Sequence, residues 1–403
     1  MVGAILGVLG LECLNGLMNF VATVYTRLFQ LLAVPTIVLA VITTFATFGS
    51  KGSGRIFGRT LTYTLLTTFA AAAVGAVLYV IIDPGSVELN SGEWIVDSYD
   101  YQASTESKAE GNHNSPLSTL NSQPSYTDHL LSVIPNNIVR PFLEGNVLSL
   151  LLLAFAIGIG LSKLPDSENK SVVVKGLLGL QDLLFLLIRG LIWTLPLGIV
   201  AFSAQLSAQV SAGVVADSIG KYVLVVLGGN AVQFFIVLPL FLLARGLNPL
   251  RVLSKMMPAV LMALFTKSSA ATLPVTMETA EQRLGVRREI ARFVLPICTT
   301  INMNGCAAFI LVTSLFVMQN GGTALTLPTI LLWVLISVVS AVGNAGVPMG
   351  CYFLTLSLMS GIGAPVAIMG IILPIYTIID MIETAENVWS DSCVCAMTDH
   401  DIS

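Results

Sequence analysis

The sequence predicts an all-α membrane protein, and three observations point to this class. Of its 403 residues, 55% are hydrophobic and 10% are charged, whereas soluble domains contain about 25% charged residues. The apolar residues form long runs, not the alternating segments of about ten residues that build a membrane barrel. Lys and Arg collect on alternate loops between these runs. The chain therefore reads as a multi-pass helical protein.

The composition argues against several other classes. The net charge of -4 is uninformative about nucleic acid, but no basic patch occurs, so no nucleic-acid partner is expected. No Gly-x-x-x-x-Gly-Lys-Ser/Thr loop occurs, which argues against an ATP-driven pump. The Cys residues show no spaced framework, so buried thiols are expected in the apolar or motif segments. These cysteines are Cys298, Cys306, Cys351, Cys393 and Cys395.

Residues 1–83 predict the first three transmembrane helices. Met1–Leu14 is apolar but shorter than the roughly 20 residues that a span needs, so helix 1 is expected to be short. Leu17–Phe48, which contains Pro35, and Thr60–Ile82 are full spans. In residues 84–128, acidic residues face a single base, Lys108, and Ser, Asn, Gly and Pro are frequent. This segment predicts an external, irregular polar loop.

Residues 129–251 predict helices 4 to 6. The spans are His129–Leu161, Leu177–Gln205 and Tyr222–Ala244. Basic loops lie at Gly49–Arg59, Lys163–Lys175 and Arg245–Lys255. The positive-inside rule places these loops, and both termini, in the cytoplasm.

The last third differs because its hydrophobic segments are interrupted. Thr266–Pro274 and Gly343–Gly350 each break an apolar segment, and a span that carries polar residues follows each one. The predicted elements are hairpin 1 at 252–280, helix 7 at 288–318, hairpin 2 at 325–361, helix 8 at 364–396 and a cytoplasmic tail at 397–403. Paired interruptions at matching places indicate the binding site of a secondary transporter.

The final helix carries a polar strip into an apolar environment. Its members, at spacings that place them on one helical face, are Asp380, Glu383, Thr384, Asn387 and Asp391. Ionised groups inside a membrane are costly and mark substrate or ion pathways. Carbonyls freed by a broken helix suit sodium, and freed N–H groups suit a substrate carboxylate. A simple channel needs no paired interruptions, so this class is disfavoured, while a leak conductance through a transporter stays open.

These motifs resemble the dicarboxylate/amino acid:cation symporter family over nearly the whole chain. The matching segments are Lys267–Val275, Asn302–Gly305, Gly343–Pro348 and Asp380–Asp391. The resemblance implies eight transmembrane helices plus two re-entrant helical hairpins, arranged as inverted repeats in an elevator-type transporter. It also implies a homotrimer in which residues 129–251 contribute scaffold and support, residues 252–396 form the transport core, and hairpin 2 is the external gate.

The resemblance also implies site residues. Asp380 would take the substrate ammonium, Asn387 and the backbone around Ser269 its carboxylate, and Thr384 would support the side chain. The full substrate set is Ser268, Ser269, Cys306, Val347, Cys351, Asp380, Glu383, Thr384 and Asn387. One sodium ion would bind to Asp391, Asn302, Asn387 and the Cys298 carbonyl. A second sodium ion would bind near Thr300, Ala341 and Asn344.

Departures from the family pattern bear on the substrate. Family members that take acidic substrates carry Arg where this chain has Glu383, which disfavours a side-chain carboxylate unless Lys267 reaches the site. The pattern is most similar to bacterial serine/threonine:sodium symporters. Asn304 and Thr64 replace an Asp and a Tyr of a family sodium site that would also use Thr67 and Thr68, which weakens the case for that site here.

The sequence thus predicts a sodium-coupled secondary active symporter, not an enzyme, that imports small neutral amino acids across a bacterial cytoplasmic (inner) membrane. Cationic or acidic substrates on the same fold are the alternatives, and so is a transport-defective relative that only binds amino acids. The expected cofactor is sodium, and the expected partners are a small amino acid, the lipid bilayer and two further copies of the chain.

Overall fold

The computed structural model describes residues 12–48, 54–85, 134–144, 147–211, 216–344 and 349–402. Most of the predicted external loop, most of Met1–Leu14 and the tip residues 345–348 lie outside these ranges. The helices are α1 Glu12–Phe48, α2 Gly54–Ile82, α3 Arg140–Glu144, α4 Val147–Lys163, α5 Glu168–Ser211, α6 Ala216–Val232, α7 Leu238–Ala244, α8 Pro249–Thr266, α9 Ser269–Thr279, α10 Arg288–Ile301, α11 Asn304–Asn320, α12 Leu327–Ala341, α13 Gly350–Gly361 and α14 Ala367–Ile402.

All regular secondary structure in the described part of the chain is helical, and no strand occurs there. Seven of its helical segments are long and apolar enough to cross a membrane. This confirms the predicted helical, multi-pass membrane class, while the count of eight spans stays a prediction. A π-helical turn at Gln233–Val237 joins α6 to α7 without a break.

Several helices extend beyond the apolar runs that predicted them. Helix α5 begins at Glu168, so Lys170 and Lys175 are helical, and the prediction of a loop through Lys175 was wrong. Helix α8 begins at Pro249 because Asn248 caps it, its side chain accepting a hydrogen bond from the Arg251 amide at 3.1 Å. A helix continues for as long as its backbone is hydrogen-bonded and capped, even where charged side chains have left the apolar layer.

The end of α14 also differs from the prediction. The helix runs to Ile402, and Met397 and Thr398 are fully buried. Residues 397–402 are therefore a packed helical end and not a separate tail. The Asp399 carboxylate accepts a hydrogen bond from Arg287 at 2.7 Å. This contact ties the helix to the segment before α10.

One end of the molecule is held by an ion cluster around Asp401. Its carboxylate lies 3.4 Å from Arg59 at the start of α2 and 3.8 Å from Arg245 at the end of α7. The Tyr63 hydroxyl donates to the same carboxylate. Two of the basic segments predicted to be cytoplasmic therefore meet at the same end of the fold.

We expect Asp401→Asn to lower the free energy of unfolding by about 1–2 kcal/mol, because it removes the anion shared by two arginines. The matched control is Asp166→Asn. The Asp166 side chain is 85% exposed and pairs with Lys170, whereas the Asp401 side chain is 9% exposed. Thermal unfolding of the two variants in detergent measures the difference, and equal losses would contradict this role for Asp401.

The opposite end joins the last residues of α2 to those of α11. Gln319 donates to Asp83 at 2.8 Å and accepts from the Tyr79 hydroxyl at 2.6 Å. Helices α2 and α11 therefore run side by side in the same direction, from the arginine end to this end. Because α14 ends at Asp401, it runs the opposite way.

The two interrupted segments form hairpins that enter from opposite ends. The first turns at Lys267, which has a left-handed backbone (φ 53°), and Ser268 caps α9 by accepting from the Ala271 amide at 3.2 Å. The second passes from α12 through the 3-10 turn Val342–Asn344 to Met349 (φ 61°) and α13. The chain order places the open end of the first hairpin at the arginine end and that of the second at the Gln319 end.

The burial pattern separates a core from an outer layer. Helices α10 and α11 are enclosed over the apolar part of their length, whereas most apolar side chains of α5 between Glu168 and Leu191 are exposed. In a membrane protein, such an exposed apolar face meets lipid or another subunit. The polar residues of α14 therefore lie in the inner layer.

Candidate functional site

The structure buries the whole predicted strip of α14. Asp380, Glu383, Thr384, Asn387 and Asp391 are each at most 6% exposed. The strip faces other helices because a carboxylate directed at lipid would be far more costly than one with polar neighbours. It divides into two groups of contacts, one around Asp380 and one around Asp391.

The first group borders a pocket between the two hairpins. Six residues predicted to bind the substrate line it, together with Asn344 from the predicted sodium set and two residues predicted for neither. The lining residues are Lys267, Ser269, Met303, Cys306, Asn344, Asp380, Glu383, Thr384 and Asn387. Val347 lies outside the described residues. Ser268 and Cys351 adjoin the pocket without lining it.

Asp380 has one engaged and one open carboxylate oxygen. Its Oδ1 accepts from the Met349 amide, just before α13, at 3.4 Å, and the Tyr376 hydroxyl lies 3.3 Å away. Its Oδ2 is buried and has no hydrogen-bond partner among the described residues. A buried acceptor without a donor suits an incoming N–H group such as an ammonium.

Glu383 shows the same division. The Tyr376 hydroxyl lies 3.2 Å from Oε2, whereas Oε1 has no partner in the described part of the chain. The Tyr376 hydroxyl, one helical turn before Asp380, thus lies between the two carboxylates and can donate its single proton to either one. Sequence reasoning missed this residue, although a hydroxyl four positions before Asp380 on the same face was the available signal.

Asn387 and the start of α11 form the back of the pocket. The Gly305 amide donates to Asn387 Oδ1 at 3.0 Å. The Asn387 and Asn344 side-chain amides lie 3.5 Å and 3.1 Å from Cys306 Sγ, to which they can donate. Three segments far apart in sequence therefore converge on this sulfur.

Cys306 and Cys351 form a disulfide between α11 and α13. The expectation of buried free thiols was wrong for this pair and is confirmed for Cys298, Cys393 and Cys395. The sequence shows no spaced pattern because the two cysteines are 45 residues apart. Only the return of the second hairpin onto α11 brings them together.

Two predicted substrate residues also have local structural contacts. The Ser268 hydroxyl caps α9, and the Thr384 hydroxyl donates to the Asp380 carbonyl at 2.7 Å. Ser269 begins α9 and lines the pocket. The N-terminus of a helix favours anions, so this wall of the pocket suits a carboxylate.

Gly305 allows α11 and α14 to approach each other closely beside the pocket. A Cβ at this position would lie 3.0 Å from the Glu383 Cα and 3.1 Å from Asn230 Oδ1. We expect Gly305→Ala to lower the free energy of unfolding by about 1–3 kcal/mol, since inserting a methyl group into a packed contact forces the helices apart. Gly220→Ala is the control because a Cβ there meets nothing within 4 Å. Equal stability of both variants in thermal unfolding would contradict the close approach.

The second group of contacts joins Asp391 to the break between α10 and α11. The Asn302 amide donates to Asp391 Oδ1 and to the Ser390 hydroxyl, both at 2.9 Å. The Thr67 hydroxyl donates to Asn302 Oδ1 at 3.1 Å. Ser390 was missed, although it lies two turns after Glu383 and its position on the strip could have revealed it.

Asn304 is satisfied as a neutral amide. It donates to Ser390 at 2.7 Å and accepts from the Thr68 hydroxyl at 2.9 Å. Thr64 Oγ1 lies 3.9 Å from Cys298 Sγ. The threonines of α2 thus surround this region, but Asn304 adds no negative charge to it.

The remaining predicted sodium residues lie around the same helix break. The Cys298 carbonyl accepts a hydrogen bond from the Asn302 backbone N–H at 2.8 Å. The Thr300 hydroxyl donates to the Ile297 carbonyl at 2.8 Å. Ala341 ends α12 beside the turn that contains Asn344, and α10 packs against this turn. Both predicted sets therefore border the broken ends of α10 and α12.

The oxygen atoms around Asp391 are suitable ligands for a sodium ion. Hard cations prefer carboxylate, carbonyl and hydroxyl oxygens, and Asp391, Asn302, Ser390 and Thr67 supply them within one buried cluster. The hydroxyl groups and the Asn302 amide can turn an oxygen toward a cation. These residues would hold the ion in place, and the ion would neutralise the buried Asp391 carboxylate.

Two further ionisable groups lie near the strip. Lys267 lines the pocket, and its ammonium donates to the Thr377 carbonyl at 2.9 Å. Glu386 is 1% exposed, and neither carboxylate oxygen has a hydrogen-bond partner in the described residues. Glu386 was not among the predicted site residues, because six residues after Asp380 it lies on a different face of the helix.

The fold and these buried sites define a helical membrane transporter. The family model described as the Sodium:dicarboxylate symporter family matches residues 1–401. The chain therefore belongs to this family, which confirms the predicted resemblance. Because the family consists of symporters, the prediction of a transporter and not an enzyme is confirmed as well.

Similar proteins include neutral and excitatory amino acid transporters. The neutral amino acid transporter B(0) of Oryctolagus cuniculus is 28% identical over 404 residues, which cover 93% of this chain and 72% of the relative. The neutral amino acid transporter A of Homo sapiens is 28% identical over 408 residues, with 93% and 74% covered. The excitatory amino acid transporter 3 of Oryctolagus cuniculus is 27% identical over 406 residues, with 93% and 77% covered.

Proposed function

We propose that this protein is a sodium-coupled secondary active symporter that imports small neutral amino acids of the serine/threonine type. One observation carries the proposal. The open Asp380 oxygen and the start of α9 at Ser269 border the same buried pocket. The first suits an ammonium and the second a carboxylate, which together match the zwitterion that all α-amino acids share.

The position of Glu383 supports a substrate with an uncharged side chain. It borders the pocket with an oxygen that lacks a donor. A substrate hydroxyl would supply that donor, whereas a substrate carboxylate would meet repulsion. Lys267 is the only cationic side chain that lines the pocket in the described residues, and its ammonium already donates to the Thr377 carbonyl. The names of the two neutral amino acid transporters among the relatives agree with this substrate class.

The Asp391 cluster supports sodium coupling. The Gly305 amide and Asn387 connect the break after α10 to the pocket, so an ion at Asp391 and a substrate beside Asp380 would order the same segment. When two ligands order one segment, each raises the affinity for the other. In our proposal this coupling makes substrate binding depend on sodium.

The transport mechanism is proposed on the same basis. Residues 252–396 would move as the transport core of an elevator-type transporter, and hairpin 2 would act as the external gate. The exposed apolar face of α5 supports a homotrimer or lipid contact for the outer helices. The predicted placement is a bacterial inner membrane with both termini cytoplasmic, so the arginine end of the fold would face the cytoplasm.

A cationic substrate is the second candidate. The same open Glu383 oxygen would pair with a guanidinium or ammonium on the substrate side chain. An acidic substrate would require the Lys267 ammonium to contact the substrate side chain with an N–H group other than the one on the Thr377 carbonyl. A relative that binds amino acids without transporting them would keep the same pocket.

Equilibrium binding to the purified protein distinguishes these candidates. Labelled serine, arginine and aspartate are compared in sodium buffer and in choline buffer. We expect serine to bind in sodium only. Binding of arginine alone would replace the neutral assignment with the cationic one, and binding of aspartate alone would assign the side-chain contact to Lys267. Equal serine binding in both buffers would contradict sodium coupling.

A further inference from the structure

Three potential metal ligands converge on one point at the wall of the pocket. The sulfurs of Cys306 and Cys351 and a carboxylate oxygen of Glu383 lie within 4.8 Å of one another. They come from α11, α13 and α14, and each residue is at most 2% exposed. Within the described residues, no other group of three Cys, His, Asp or Glu side chains shows this convergence.

The oxidation state of the cysteines decides whether this point can bind a metal. In the structure the two sulfurs form a disulfide, which has no thiolate to offer. A dithiol reductant cleaves this bond by thiol–disulfide exchange. The reductant supplies two electrons and two protons and becomes a disulfide, and the protein gains two thiols. Each thiol then loses its proton to water when it binds a metal ion.

The ligand set selects the class of metal. Two thiolates and one carboxylate suit a thiophilic divalent cation with tetrahedral coordination, and three protein ligands leave the fourth position open. Sodium and magnesium prefer sites made of oxygen alone. The open Glu383 oxygen is an independent indication of a ligand, because it is buried and has no hydrogen-bond partner among the described residues.

The surroundings also suit such a complex. Asn344 and Asn387 can donate to Cys306 Sγ, and such hydrogen bonds orient and stabilise a metal-bound thiolate. A divalent cation with two thiolates and one carboxylate has a net charge of about -1, by the charge of each ligand at neutral pH. Lys267 lines the same pocket and offsets this charge.

We propose that, in the reduced protein, Cys306, Cys351 and Glu383 form an inhibitory site for a thiophilic divalent cation such as zinc or cadmium. The ion would join the second hairpin to α11 and α14. It would also occupy the substrate pocket, so a metal ion and an amino acid would exclude each other. The metal site stands independently, whereas its inhibitory effect depends on the proposed function.

Cadmium binding to the full-length chain in detergent tests the site. The protein is reduced with dithiothreitol, freed of reductant without oxygen and titrated with cadmium, while the sulfur-to-cadmium absorption in the ultraviolet is recorded. We expect one cadmium ion per chain in the reduced protein and none in the oxidised protein. Absorption in the oxidised protein, or none in the reduced protein, would overturn the proposal.

Variants identify the ligands. We expect C306S and C351S each to weaken cadmium binding by more than about 100-fold, and E383Q by about 10-fold. C395S is the matched control because Cys395 is a buried free thiol outside the pocket, and cadmium affinity should not change. Gel filtration confirms that each variant is folded, and having two single-cysteine variants keeps the test valid if one of them aggregates. The assigned ligand set would be overturned if C395S lost as much cadmium affinity as C306S. It would also be overturned if E383Q kept the cadmium affinity of the unmodified protein.

Competition separates this inference from the proposed function. Serine should raise the apparent dissociation constant for cadmium in reduced protein, and cadmium that binds without displacing serine would overturn the inhibitory role. If metal-free reduced protein binds no amino acid and yet binds cadmium through these three residues, the proposed function fails while the metal site is supported.

Discussion

Asp391→Asn is expected to abolish sodium-dependent substrate binding. Asp391 is the carboxylate of a cluster whose other oxygens, from Asn302, Ser390 and Thr67, are neutral. Removing that charge costs the sodium ion about 3 kcal/mol, or about 100-fold in affinity, by analogy with the loss of a charged contact. The carboxamide of Asn is nearly the same size as the carboxylate, so the packing around α14 should be preserved.

The measurement is serine binding as a function of sodium concentration. Asp401→Asn is the matched control because it makes the same chemical change on the same helix, at the ion cluster with Arg59 and Arg245. This control should keep the sodium dependence of the unmodified protein. If Asp391→Asn kept it too, Asp391 would not be a sodium ligand.

Glu383→Arg is expected to shift the substrate preference from serine toward aspartate. The change replaces an open carboxylate oxygen in the pocket with a guanidinium, which can bind a side-chain carboxylate in a bidentate manner. Reversing repulsion into attraction at a buried position is worth about 2–3 kcal/mol, or about 30- to 150-fold in relative affinity. Displacement of one labelled ligand by unlabelled serine and by unlabelled aspartate gives the ratio of their affinities.

Glu383→Gln separates charge from hydrogen bonding in this experiment. Glutamine keeps a carbonyl acceptor but loses the negative charge, so it should weaken the rejection of aspartate without creating a strong aspartate site. If the unmodified protein, Glu383→Arg and Glu383→Gln had the same ratio of serine to aspartate affinity, Glu383 would not contact the substrate side chain.

The sequence was sufficient to place the pocket elements because its physical signals are strong. An acidic residue such as Asp380 in an apolar helix is costly, and a broken helix such as the one at Lys267 exposes backbone groups. Both features persist only where the fold provides polar neighbours. The burial of Asp380 and Glu383 and the hairpin turn at Lys267 follow from the same reasoning.

Other features depend on contacts between distant segments. The disulfide of Cys306 with Cys351 and the ion cluster at Asp401 require three-dimensional packing that periodicity cannot show. Tyr376 and Ser390 lie on the polar face, but a serine hydroxyl in a helix often bonds to its own backbone, and a tyrosine in an apolar helix is expected to pack in the core. Their contacts with Glu383 and Asn302 become visible only in the structure.

Helix ends were also hard to predict, for a physical reason. Hydropathy reports where side chains leave the apolar layer, whereas caps and ion pairs decide where a helix stops. Helix α5 therefore starts at Glu168, seven residues before the end of the predicted basic loop at Lys175. Helix α14 likewise continues to Ile402, past the predicted end at 396.

Uptake of serine by the reconstituted protein is the direct test of sodium-coupled symport. Proteoliposomes are loaded with choline buffer, and the accumulation of labelled serine is followed with and without an inward sodium gradient. We expect serine to be concentrated only when the gradient is present, and we expect the accumulation to end when a sodium ionophore dissipates the gradient. Serine that merely equilibrates at the same rate with and without the gradient, through folded protein, would contradict sodium-coupled symport.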